Sequence, residues 1–170
     1  MRGRDVVFAL TVAIFALVLQ STVFAEGRIE LFGASPDLTI LAVIATARHL
    51  EPEPALLVGF TSGLFADLLG GAPLGLWAIA LTVVAYVTVR LRARSDHGLV
   101  AIGVGVLALT AIGEALFALT GTLFGQRLLM SAGVLRLIFL PAVWNVALAG
   151  AVLPPISKVL ARDRTRSWRP

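Results

Sequence analysis

The chain has 170 residues, of which 58% are hydrophobic and only 14% charged, with a mean hydropathy of +0.94 and a formal net charge of +4. Soluble domains run near 45–50% apolar and about 25% charged, so this composition excludes an ordinary soluble domain and indicates a single integral membrane domain. The absence of cysteine excludes disulfides, thiolate metal sites and thiol catalysis.

Six apolar segments follow in chain order: 6–24, 36–50, 55–69, 74–91, 99–124 and 134–153. About 20 residues cross a 30 Å hydrocarbon layer, so the first, fifth and sixth are comfortable spans and the second and third are short. The short pair reads either as two thin spans or as one re-entrant hairpin. Between them lies Arg48-His49-Leu50-Glu51-Pro52-Glu53-Pro54, which a hairpin would bury in lipid, and this favours two spans joined by a wet turn. The expected fold is an all-α membrane protein, a six-transmembrane-helix bundle.

With six spans both termini share one side. That side collects Arg2, Arg4, Arg48, Arg90, Arg92, Arg94, Lys158, Arg162, Arg164, Arg166 and Arg169, against Arg28, Arg127 and Arg136 on the other. The bias makes the rich side cytoplasmic, giving an N-in/C-in arrangement. A re-entrant hairpin keeps the same parity. The basic residues are thus placed to face anionic lipid, not nucleic acid, and the tail from 154 to 170 is an orientation determinant or a docking site for a cytoplasmic partner. Arg2 and Arg4, an apolar run and Val23-Phe24-Ala25 imitate a secretory signal. The run is long for one, and five more apolar segments follow, so a retained first span is expected.

The first span ends at Gln20 and carries the small-residue pair Ala9 and Ala13. Ser35-Pro36-Asp37 opens the second, with Ser35 at the N-cap, Pro36 at the first helical position and Asp37 in the first turn. In the third, Gly59 and Gly63 form a G-x-x-x-G pair with Asp67 four residues on, a flat face for another helix of the bundle or for a partner. Asp67 sits in the last turn of its helix, near the negative end of the macrodipole, and needs a compensating group.

Glu114 in the fifth span is the other acid within an apolar helix. Gln20, Asp67, Glu114 and Arg136 fall at similar depth in the outer half of the bilayer, on four helices. They read as a small outward-facing polar cavity, as a structural network in which Arg136 neutralises one or both acids, or as both. In the sixth span Pro141 frees the carbonyl of Leu137 and predicts a kink. Asn145 beyond it is expected to make one interhelical hydrogen bond. His49 and His97 lie in turns without ligand partners, and no nucleophile motif or phosphate loop is present. The reading is of a protein that is not an enzyme and has no cofactor or metal.

Taken together, Gln20-Ser21-Thr22-Val23-Phe24, Pro36-Asp37-Leu38 and Gly63-Leu64-Phe65-Ala66-Asp67-Leu68-Leu69 with Gly71, Pro73-Leu74-Gly75 and Leu76 resemble MreD, the rod-shape-determining membrane proteins of bacteria. The specific part covers about Gln20–Leu76, and the C-terminal half agrees in hydropathy alone. The resemblance implies a non-enzymatic scaffold of the cell-elongation machinery in the cytoplasmic membrane. It implies MreC as partner, near MreB, RodA and a class B penicillin-binding protein, all organised around peptidoglycan synthesis. It also implies a fold similar to the substrate-binding subunits of energy-coupling-factor transporters, which supplies the alternative reading: a substrate-binding membrane subunit of a vitamin-type transporter. Such a subunit docks its partner through small residues on the first helix, where Ala9 and Ala13 stand.

Overall fold

The structure, a computed structural model, describes residues 3–24, 35–71, 73–92, 98–126, 128–129 and 133–166, the last six by their backbone alone. Arg2, Arg28, Arg94, Arg127, Arg169, Ala25 and His97 lie outside the described residues. All regular structure among the described residues is helical: α1 Gly3–Val23, α2 Leu38–Ala47, α3 Pro52–Gly70, α4 Leu76–Arg92, α5 Leu99–Leu123 and α6 Val134–Arg166. Three helices are long and apolar enough to cross a membrane, namely Gly3–Val23, Leu99–Leu123 and the Val134–Leu160 part of α6. They are the three that the apolar run lengths single out.

The second apolar segment becomes a shorter helix than its run of 36–50 suggests. With ten residues, α2 is about 15 Å long, half the hydrocarbon thickness. Its ends are set locally. Asp37 caps it in an extended conformation (φ −90°, ψ 91°), so the N-cap is Asp37 and not Ser35. At the far end, Glu51 precedes Pro52, which biases the chain away from helix before α3 begins with proline in its first turn. From Thr39 to Ala47 every residue of α2 is buried. It packs against each of the other five helices, as a helix apolar all round must. Ile40, Leu41, Val43 and Ile44 meet Val58 of α3, Leu81 and Val84 of α4, and Val106 and Leu109 of α5 in one core.

The outer helices turn large apolar side chains outward, among them Phe15, Leu68, Val100, Val104, Leu135 and Phe139. Hydrocarbon accepts such a surface, whereas patches of this extent are rare on soluble monomers. On the inner side Ala9 and Ala13 have no exposed surface, and α1 lies on α2 and α3. This small-residue pair is therefore used within the chain and presents no face to a docking partner.

α3 and α4 form an antiparallel hairpin, the most extensive helix pair of the fold. Its closeness comes from the two glycines. A Cβ on Gly59 would lie 2.6 Å from the Leu81 carbonyl oxygen, and one on Gly63 would lie 2.5 Å from the backbone of Ala78. The G-x-x-x-G face thus serves internal packing, with α4 as its partner.

α6 runs on to Arg166 through Pro141, Pro154 and Pro155, so the basic segment beyond 153 begins as a continuation of the helix and not as a separate tail. Each proline removes one amide, leaving the carbonyls of Leu137, Gly150 and Ala151 without their helical donors. At the opposite end of the hairpin from the glycine turn, Arg92 donates from Nη1 to the carbonyls of Arg48 and Leu50. The C-terminus of α4 and the α2–α3 turn, with Arg48, Arg90 and Arg92, therefore lie together.

Candidate functional site

The residues singled out by sequence fall into two adjoining arrangements at the other end of the bundle, where α1 and α3 end and α2 and α4 begin. The first is built on Asp67, 1% exposed in the last turn of α3. Its Oδ2 accepts the amides of Gly75 at 2.8 Å and Ala78 at 3.3 Å, and its Oδ1 accepts that of Trp77 at 2.9 Å. These are amides at the start of α4, which have no acceptor within their own helix. The carboxylate is disfavoured at the C-terminus of its own helix and favoured at the N-terminus of the next. Asp67 therefore needs no cation, and Arg136 stands exposed in the first turn of α6.

The chain reverses tightly enough for this because Gly71 closes α3 in the left-handed conformation (φ 67°) and Gly75 enters α4 at φ 105°. Side chains rarely adopt either conformation. Between them, the carbonyl of Pro73 accepts the Leu76 amide at 3.5 Å. Trp77 then stacks on Phe117 of α5, ring centroids 4.3 Å apart and 17° between planes, which fixes the hairpin against the rest of the bundle.

The second arrangement centres on the start of α2. Gln20 Oε1 accepts both the amide and the hydroxyl of Thr39, at 3.0 and 3.1 Å. Asp37 Oδ1 accepts the Ile40 amide at 2.8 Å, the standard N-cap bond. Its backbone carbonyl accepts Nδ2 of Asn145 at 2.8 Å, and the same Nδ2 reaches Thr110 Oγ1 at 3.2 Å. Asn145 thus makes two interhelical bonds where one was expected. Glu114, one helical turn beyond Thr110 on α5, is 7% exposed.

Of the four polar groups expected to converge, Gln20 lies with Asp37 at the start of α2, Glu114 is buried one turn from Thr110, Asp67 belongs to the neighbouring hairpin and Arg136 is exposed. Sequence reasoning missed the convergence of Asp37, Thr110 and Asn145. The available signal was the i, i+4 spacing of Thr110 and Glu114, which puts both on one face of α5.

Gln20, Ser21, Asp37, Thr39, Gly70 and Trp77, with apolar neighbours from α1 and α3, line a cavity of about 270 Å³ between the two arrangements. Among the described residues, no group of three or more His, Asp or Glu side chains is placed to hold a metal ion. The chain matches no protein-family model, no curated protein and no solved structure.

Proposed function

We propose that the chain is a multi-pass protein of the bacterial cytoplasmic membrane that acts as a non-enzymatic scaffold of the cell-elongation machinery, in the manner of MreD. In this reading it binds MreC, close to MreB, RodA and a class B penicillin-binding protein, and helps to organise peptidoglycan synthesis. The bundle has six spans and both termini in the cytoplasm, with the arginine-rich end at anionic lipid.

The observation that carries the reading is the use made of the residues that resemble MreD. Asp67, Gly71, Pro73, Gly75 and the Gly59–Gly63 face belong to one structural unit, the α3–α4 hairpin with its carboxylate cap. Gln20, Pro36 and Asp37 adjoin that unit, with Gln20 and Asp37 lining the cavity beside it. The motif thus specifies the shape of one end of the bundle.

The cavity favours a second reading. An open space of about 270 Å³ with Gln20, Asp37 and Thr39 on its wall is what a substrate-binding transporter subunit would have, since ligand pockets combine apolar walls with a few converging polar groups. Depletion of the chain in its own bacterium separates the two. The scaffold reading expects rods to round up and lyse whatever the medium contains. A normal shape with a growth defect relieved by excess external vitamin would support the transporter reading instead.

A further inference from the structure

At the end of the bundle away from the glycine turn, a groove lies where α2 and α4 end and α5 begins. Arg48 and Arg92 line it together, and Ile44, Val106 and Leu109 are its buried floor. The Arg92 guanidinium is held in place. Its Nη1 donates to the carbonyls of Arg48 and Leu50, where α2 ends and a cation is favoured. A guanidinium carries five N–H donors in a rigid fork that matches a phosphate. Further along the groove, Ala101 and Gly105 are small residues one turn apart on α5. A Cβ on Gly105 would meet nothing within 4 Å, so this glycine, unlike Gly59 and Gly63, is not required by packing inside the chain and leaves the groove open. The carboxylates of the α2–α3 turn, Glu51 and Glu53, are exposed and are not among the described residues that line it.

We propose that this groove seats one anionic phospholipid, its phosphate at Arg48 and Arg92 and one acyl chain along α5 past Gly105. The enclosed space is about 40 Å³, far below the roughly 300–1,000 Å³ of a small-molecule pocket. An occupant must therefore extend out of the groove, as a lipid does. Free phosphate would satisfy the arginines and leave the apolar floor bare, so the two features together select a lipid. The length agrees. Leu109 stands ten positions after Leu99, the first residue of α5, about 15 Å along the helix and half the hydrocarbon thickness, the reach of a chain in one leaflet. The two arginines favour a net negative headgroup over a zwitterionic one. The site rests on the membrane reading of the chain and not on the scaffold role, so a chain that fails to capture MreC leaves it standing.

The test is native mass spectrometry of the purified, delipidated full-length chain in mild detergent, titrated with phosphatidylglycerol or with phosphatidylcholine of the same acyl chains. Phosphatidylglycerol should occupy a first site about tenfold more tightly than phosphatidylcholine, and millimolar inorganic phosphate should not displace it. Arg48→Gln should weaken that site about fivefold. Gly105→Leu, which fills the groove, should weaken it at least as much. Arg90→Gln is the control: Arg90 is on the same helix but lies over the Tyr86 ring, 5.2 Å from its centroid, and its loss should leave the site unchanged. Equal affinity of the wild-type chain for the two lipids overturns the proposal without recourse to any variant. Displacement by inorganic phosphate overturns the lipid as occupant. An Arg90→Gln loss equal to that of Arg48→Gln means diffuse surface charge and overturns the assignment to this groove, as does full binding by a folded Gly105→Leu chain.

Discussion

The carboxylate of Asp67 closes one helix and opens the next: from the last turn of α3 it accepts the amide of Trp77 at 2.9 Å, with Gly75 and Ala78 on its other oxygen. One buried acid thereby satisfies three backbone donors. Hydrogen bonds to charged groups contribute about 1.5–3 kcal/mol each in favourable settings, and orphaned buried amides cost comparable amounts. Asp67→Ala is expected to destabilise the chain by about 3 kcal/mol or more. Asp67→Asn, with one acceptor oxygen, should lie between it and the wild type. Thermal unfolding in detergent checks the order, and an Asp67→Ala protein as stable as wild type would contradict the role of the cap.

The close approach of α3 and α4 predicts a contrast between Gly63 and Gly70, two glycines of the same helix. Gly63→Ala places a Cβ into the Trp77–Ala78 backbone, whereas a Cβ on Gly70 meets nothing within 4 Å. Overpacking of this kind costs about 1–3 kcal/mol or more. Gly63→Ala should lower expression and melting temperature clearly, and Gly70→Ala should change neither by much. Equal behaviour of the two would argue against the hairpin.

Gln20 is the link between the end of α1 and the start of α2. Replacing it with Leu removes the acceptor of both the Thr39 amide and hydroxyl and should cost about 1–2 kcal/mol. The measurement is a thermal scan of Gln20→Leu beside Ser21→Ala, whose hydroxyl donates to the Val18 carbonyl of its own helix. The second variant should be close to neutral.

Much of this arrangement is legible in the sequence, and the exceptions have physical reasons. Run length and hydropathy locate all six helices, because a bilayer-sized apolar segment has few other solutions. They misjudge α2 and α6, where local chemistry decides the ends: Asp37 starts α2 later than Ser35 would, and Pro154 and Pro155 fail to stop α6. The need of Asp67 for a compensating group follows from its place in the helix. The identity of that group does not, since backbone amides leave no trace in residue types. Asn145 and Thr110 are 35 positions apart, and nothing short of the fold brings them to Asp37.

Topology offers an independent check. The proposed topology of six spans puts both termini on the arginine-rich side; if it holds, alkaline phosphatase fused at either end should be inactive in a bacterial host, and a cytoplasmic reporter at the same sites active. A fusion at the α3–α4 turn should give the reverse. Opposite signals from the two termini would mean an odd number of crossings.

The central claim, a scaffold that holds MreC in the cell-elongation machinery, is tested most directly by affinity capture of the tagged chain from native membranes in mild detergent, with mass spectrometry of what accompanies it. A scaffold should bring down MreC in near-stoichiometric amount, with RodA or a class B penicillin-binding protein beside it, and the Asp67→Ala chain should lose most of that MreC. Recovery of transporter ATPases and their membrane coupling subunit, with MreC absent, would contradict it.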